Sequence, residues 1–271
     1  MSKKFYIGID SDGTAFDSMT PKHVLAFIPA LFEVWDIPES IKEEVAEIEK
    51  KINLYSKERG VNRFPGLLRV FEEMDKKGLA KFDYSSLADF VEKGESMSNA
   101  ALEKFIAENP ADFLNEVLEW SRLSDKFFET ETESLMPFKG VLPALKKAFP
   151  MADISVVSSA STAGLKTDWK KDSLSDYVTH LLGQDSGSKK QQLKSTADGN
   201  YAPENILMIG DAIGDMEAAR SINALFYPII PGKEEESWNK FTDEVLDIFF
   251  SGNYAGECEK AFIDEFLSVL C

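Results

Sequence analysis

Two carboxylates stand two residues apart in the stretch Asp10-Ser11-Asp12-Gly13-Thr14, directly after the apolar run Phe5-Tyr6-Ile7-Gly8-Ile9. Side chains at i and i+2 leave a strand on the same side, so Asp10 and Asp12 crowd each other at its end. A bound divalent cation is the simplest compensation, and oxygen-only ligands suit magnesium best. Gly13 permits the tight backbone turn that such a loop needs. A second acidic group, Gly210-Asp211 with Asp215 four residues on, follows the apolar run Ile206-Leu207-Met208-Ile209.

The runs that carry these groups are short, continuously apolar and stopped by polar turn residues, the pattern of buried central strands. Ile154 to Val157, ending in Ser158-Ser159, repeats it. A weaker strand is expected at Tyr177 to Leu182 and another over Ala224 to Ile230, before Pro231-Gly232. Helical spacing separates them at Lys139 to Phe149, Lys189 to Ala197 and Ile213 to Ile222. Strands alternating with helices argue for an α/β fold, a doubly wound parallel sheet with helices on both faces. Ligands of such sheets sit beyond the carboxyl ends of the strands, where Asp10, Ser158 and Asp211 fall.

From about Thr20 to Leu135 the character changes to long helical patterns without a convincing strand. Lys22 to Trp35 places Val24, Phe27, Ile28, Leu31 and Phe32 at helical spacing, and Ile41 to Ile52 carries an apolar stripe of Val45, Ile48 and Ile52. Asn109-Pro110 with Asp112 reads as a helix start, with an N-cap, Pro at the first position and acid in the first turn. The end of the sequence, Glu234 to Cys271, contains two acidic amphipathic helices around Gly252.

At 271 residues the chain is long enough for one large domain or two moderate ones. With 47 acidic against 30 basic residues the net charge is −17, which disfavours nucleic acid and anionic membrane as partners. An anionic substrate therefore needs a local cluster of positive charge. Cys258 and Cys271 have neither CxxC nor zinc-type spacing, which suits a reducing, cytoplasmic compartment. The apolar stretch behind Lys3 and Lys4 ends after five residues, at Asp10, and reads as no signal peptide. No run approaches the ~18 apolar residues of a membrane helix.

In order, Asp10-x-Asp12-Gly13-Thr14, Ser158 at a strand end, Lys189, and Gly210-Asp211-x-x-x-Asp215 resemble the haloacid dehalogenase superfamily, mostly Asp-dependent phosphohydrolases. The likeness covers residues 1–15 and 136–230, including the return segment Met136-Pro137-Phe138-Lys139-Gly140-Val141. It implies a Rossmann-like hydrolase core over residues 1–18 and 136–271, and an inserted all-α cap over 19–135. The cap is expected to close over the site and to favour small phosphorylated metabolites.

The resemblance also implies roles. Asp10 is the candidate nucleophile, a carboxylate already anionic at pH 7 that needs no activating base. Magnesium would be held by Asp10, the backbone carbonyl of Asp12 and Asp211, with Asp215 nearby or through water. Asp12 would protonate the leaving oxygen and then deprotonate the attacking water. Ser158 and the amides after it would hold phosphate oxygens, with Thr14 and Ser159 as further substrate-binding candidates. Lys189 would pair with both phosphate and Asp10. Ser158 has Ser159 and Ser161 as neighbours, any of which could instead cap the next helix, and Lys190 is the rival of Lys189, with Lys194 near. The expected reaction is hydrolysis of a small phosphate monoester through an aspartyl-phosphate. A phosphomutase on a sugar phosphate, or a non-catalytic binding protein on the same fold, are the alternatives. Asp12 disfavours the dehalogenase and phosphonatase branches, which lack a second Asp there.

Outside these motifs, His23 and His180 have no partner at metal spacing and read as structural or solvated. The segment from Tyr55 to Arg63 is polar and partly basic. Its Arg59 and Arg63, with Lys57, Asn53, Tyr55 and Asn62, are either readers of an anionic substrate or part of a solvated loop.

Overall fold

The computed structural model describes residues 3–94, 96–131 and 135–270; Cys271 lies outside them. By its contacts the chain divides into two compact units, Met1–Ser18 with Leu135–Cys271, and Met19–Ser134.

The first unit is built on five parallel strands, β1 (Phe5–Ile9), β2 (Ala152–Val157), β3 (His180–Leu182), β4 (Ile206–Gly210) and β5 (Leu225–Pro228), in the order β3-β2-β1-β4-β5. The alternation of side chains sorts each strand between two cores. Phe5, Ile7 and Ile9, with Ile154, Val156, Leu207 and Ile209, bury one face, whereas Tyr6, Val157, Ile206 and Met208 bury the other. Both faces are covered, which is why β1 and β4 are apolar along their length.

Helices run between the strands. They are α8 (Val141–Ala148), α9 (Thr162–Asp168), α10 (Lys189–Thr196) and α11 (Ile213–Arg220), with α12 (Glu234–Lys240), α13 (Leu246–Phe250) and α14 (Glu257–Val269) after β5; α1 to α7 belong to the second unit. A π-helical stretch, Phe241–Val245, joins α12 to α13. The weak strand expected from Tyr177 starts only at His180, because Lys171–Tyr177 is a 3-10 stretch broken by positive φ at Asp172 and Ser173. The return segment pairs with the first loop: Phe138 N donates to Ala15 O at 3.0 Å, and Pro137 bridges Phe16.

The second unit is helical throughout: α1 (Met19–Pro21), a π-helical stretch Lys22–Phe27, α2 (Ile28–Val34), α3 (Glu39–Tyr55), α4 (Arg63–Lys76), α5 (Ser85–Lys93), α6 (Asn99–Glu108) and α7 (Asp112–Glu131). The single helix expected over Lys22 to Trp35 is thus π-helical in its first half. Asn109 does not open α7 as expected. It closes α6, where its N–H and side-chain amide both donate to Phe105 O, and the next helix begins at Asp112. The core holds Trp35, Phe64, Phe71, Phe90 and Trp120. Among the described residues no helix is long and apolar enough to cross a membrane.

Candidate active site

Parallel strands bring their carboxyl ends to one edge of the sheet, so Asp10 after β1, Ser158 after β2 and Asp211 after β4 leave from the same side. Asp10 N still donates to Ile209 O at 3.0 Å, extending the ladder by one residue before the chain turns. Gly13 takes a φ of 74° in that turn, as the sequence suggests.

Two indoles from distant parts of the chain hold the loop. Trp169 Nε1 donates to Ser11 Oγ at 3.1 Å and Trp238 Nε1 to Thr14 O at 2.7 Å; both rings are fully buried. Thr14 Oγ1 in turn donates to Asp211 Oδ1 at 2.6 Å, tying the first loop to the second. Thr14 is therefore occupied as a positioning residue.

Asp10, Asp211 and Asp215 are buried, and each offers a carboxylate oxygen within 4.8 Å of the others. Asp215 reaches the cluster by folding back from the first turn of α11, where its Oδ2 accepts from Ala212 N at 3.2 Å. Gly210 leaves room for this, since a Cβ there would fall 2.4 Å from Asp215 Cβ. Lys189, at the start of α10, reaches Asp10 Oδ1 at 2.9 Å and Asp215 Oδ1 at 2.6 Å. Lys190 is exposed, so between the two candidate lysines it is Lys189 that enters the cluster.

Three buried carboxylates gather at the Lys189 ammonium, which pairs with two of them. Burial pushes the Asp10 carboxyl well above its ordinary range; Lys189 opposes that rise while Asp215 and Asp211 add to it. Burial raises Asp215 in the same way, against the pull of Lys189. For Lys189 burial acts downward, but the Asp10 and Asp215 carboxylates outweigh it and hold the ammonium above its usual range. The donor set is oxygen-only, compact and acidic, which fits a hard divalent cation such as magnesium and not a thiophilic metal.

The Asp12 carboxylate is half-buried outside this cluster, and its Oδ1 accepts from Ser18 Oγ at 2.6 Å. Ser158 is buried with its Oγ accepting from Ala160 N, whereas Ser159 is exposed and Ser161 caps α9 by accepting from Gly164 N.

Arg59 and Arg63 belong to the helical unit. Arg59 is buried, with Nη1 donating to Leu54 O at 2.8 Å. Arg63 Nη1 lies 2.7 Å from Asp125 Oδ1 and donates to Ser121 O and Oγ. Both guanidiniums thus have partners inside that unit, and a part in substrate binding would require them to exchange those partners.

Two positioning residues lie outside the sequence motifs. Ser18 holds Asp12. Gln192, fully buried one turn along α10 from Lys189, donates Nε2 to Ser158 O, Gly183 O and Gly187 O at 2.8–3.0 Å. One amide thereby joins the Ser158 strand end to the turn that precedes Lys189.

No protein-family model and no curated protein matches the chain. Solved structures do. A candidate phosphoglycolate phosphatase from Lactobacillus delbrueckii subsp. bulgaricus is 16% identical with a TM-score of 0.52, over 84% of this chain and 87% of that one. A haloacid dehalogenase-like family hydrolase from Streptococcus pneumoniae is 14% identical with a TM-score of 0.46, over 91% and 97%. A HAD-hydrolase from Bacillus subtilis bound to magnesium is 13% identical with a TM-score of 0.46, over 84% and 87%. The first of these, with its TM-score of 0.52, shares this chain's fold.

Proposed function

We propose that the protein is a magnesium-dependent phosphatase that hydrolyses a small phosphate monoester through an aspartyl-phosphate on Asp10. The observation that carries this reading is the buried cluster of Asp10, Asp211 and Asp215 around Lys189, at the strand ends of this fold. Asp10, Asp211 and the backbone carbonyl of Asp12 are the residues to hold the ion, with Asp215 behind them. The ion, when bound, would offset the crowding of the carboxylates, keep Asp10 ionised and polarise a phosphoryl oxygen.

In this reading an Asp10 carboxylate oxygen attacks phosphorus, and the bond from phosphorus to the alcohol oxygen breaks. The Asp12 carboxyl, steadied by Ser18, gives its proton to the departing alcohol. The resulting Asp12 carboxylate takes a proton from water, whose oxygen then attacks phosphorus and frees Asp10. Lys189 carries the positive charge that lets an anionic ester approach an anionic nucleophile. Ser158 and the amides following it face the same sheet edge and are the candidates for holding phosphate oxygens.

The test is inorganic phosphate release from a panel of small phosphate esters, with magnesium or with chelator, for the wild type and Asp10→Asn. Turnover that needs magnesium and vanishes in Asp10→Asn supports the proposal. Turnover that survives Asp10→Asn, or a wild type inert on the whole panel, refutes it.

A further inference from the structure

We infer that the helical unit carries a ligand pocket of its own, built on His23, Glu49 and Asn53, which takes a hydroxyl group of a small neutral polyol. This does not depend on the chemistry proposed for Asp10.

The pocket is a cavity of about 20 Å³ enclosed by the π-helical stretch, α3, α4 and α7. That is room for one water-sized group. Its polar side is unusual for a helical core. Glu49 is 3% exposed, and its Oε1 contacts His23 Nδ1 at 2.5 Å and accepts from Asn53 Nδ2 at 3.2 Å. Its Oε2 is buried with no hydrogen-bond partner among the described residues. A carboxylate oxygen left bare in an interior is costly unless something donates to it.

The wall is also shaped around these groups. Asn53 Oδ1 rests against Gly66 of α4, where a Cβ would come within 2.4 Å of it. Any side chain at 66 would push Asn53 out of the cluster. The π-helical turns at Lys22–Phe27 bring His23 and Phe27 to the same cavity.

Charge decides among the groups that could donate to Glu49 Oε2. An ammonium would satisfy it but would enter a cavity that Arg63 also lines, beside the His23 contact. An anion would meet the Glu49 carboxylate. A hydroxyl donates one hydrogen bond and accepts another while adding no charge, so it suits a wall that mixes carboxylate, amide, imidazole and guanidinium. Phe27 and Trp120 close the remaining sides, and Trp120 Nε1 is already spent on Phe27 O at 3.1 Å, which leaves ring surface to face carbon-bound hydrogens. Val61, 40% exposed, lines the same cavity and is the most exposed of its lining residues, so in this inference a ligand enters past it. A polyol seated there keeps its other hydroxyls near that mouth.

The two histidines of the chain supply the readout. In protein carrying labelled histidine, the side-chain resonances are followed while glycerol, erythritol or ribitol is added. Ethylammonium and acetate serve as the charged comparators. A saturable shift of His23 with at least one polyol is expected, with His180 unmoved. Glu49→Gln should weaken that response by about tenfold or more. Val61→Trp, a change at the exposed mouth that leaves the buried cluster intact, should block it. The inference is overturned if no polyol moves His23, which would make the cavity the seat of a structural water only. It is equally overturned if ethylammonium or acetate binds as well as the polyols, or if Val61→Trp responds like the wild type.

Discussion

Lys189→Met removes the ammonium paired with Asp10 and Asp215 and leaves a side chain of similar length. Lys189 Nζ sits 2.9 Å from Asp10 and 2.6 Å from Asp215, and those two carboxylates are 6% and 0% exposed. Without it, the buried Asp10 and Asp215 carboxylates lose that positive partner. Breaking a buried pair by removing one member costs about 3–5 kcal/mol, because the partner's charge stays behind uncompensated. At ~2–4 °C per kcal/mol for a domain of this size, the metal-free variant should melt roughly 6–20 °C below the wild type. The assay is thermal unfolding in chelator, with Lys190→Met as the control, since that exposed side chain should change stability by no more than about 0.5 kcal/mol. A second arm isolates the cause. Asp10→Asn added to Lys189→Met removes one of the stranded charges and should return stability, with a coupling of about 0.5–3 kcal/mol. Magnesium should raise the melting temperature of Lys189→Met more than that of the wild type, because it replaces the lost charge. The reasoning is refuted if Lys189→Met costs less than about 1 kcal/mol, or if the double variant is less stable than the single one.

Two further outcomes follow from the same geometry. Gln192→Leu fills the space but deprives the carbonyls of Ser158, Gly183 and Gly187 of their shared donor. It should cost roughly 1–3 kcal/mol in urea unfolding and raise the KM for a phosphate ester more than it lowers kcat; an unchanged KM would remove Gln192 from the positioning of the site. The pH dependence of the metal-free protein has a defined sign. Burial raises Asp10 in the folded state above its ordinary 3.8, so the folded state holds that proton longer than the unfolded one. Its stabilising contribution is complete at acid pH and is lost as pH rises through the folded value. In chelator, the wild type should therefore lose stability relative to Asp10→Asn as the pH climbs from about 4 towards neutrality. A difference between the two that stays constant with pH would contradict it.

What could be read in the sequence was whatever burial writes into neighbouring residues. β1 and β4 show as apolar runs because both faces of the sheet are covered, and their ends show because acid or glycine follows at once; β2 carries Asp153 and Ser155 and is read from Ile154 to Val157. β3 was blurred, since its three residues are exposed or half-buried and a broken 3-10 stretch runs into it. Asn109 misled because Asn caps either end of a helix; the carbonyl of Phe105, four residues back, made it a terminator. The partners of Gln192 are 34, 9 and 5 residues away, and it stands in a polar Lys-Lys-Gln-Gln run that reads as surface. His23 and Glu49 are 26 residues apart on different helices, so their pairing leaves no periodic trace. Arg59, read as a candidate for solvent or substrate, is buried instead, because Leu54 O, left open near the end of α3, needs a donor.

The indole contacts bear on what a metal would be needed for. The first loop has its turn closed by Ala15 and Phe16 N–H groups on Ser11 O, and two tryptophans donate to Ser11 and Thr14. Thr14 then aims Asp211, and Gly210 lets Asp215 fold inward. Each of these contacts is between protein groups, so the positions of the acids are set before any ion arrives. A site preorganised in this way spends little reorganisation at the moment of reaction. The crowding of the carboxylates is then the cost of that rigidity, and binding a cation relieves it instead of building the loop. On this argument, chelation should leave the near-ultraviolet signal of Trp169 and Trp238 unchanged while abolishing turnover. Loss of that signal on metal removal would mean that the ion, not the indoles, holds the loop.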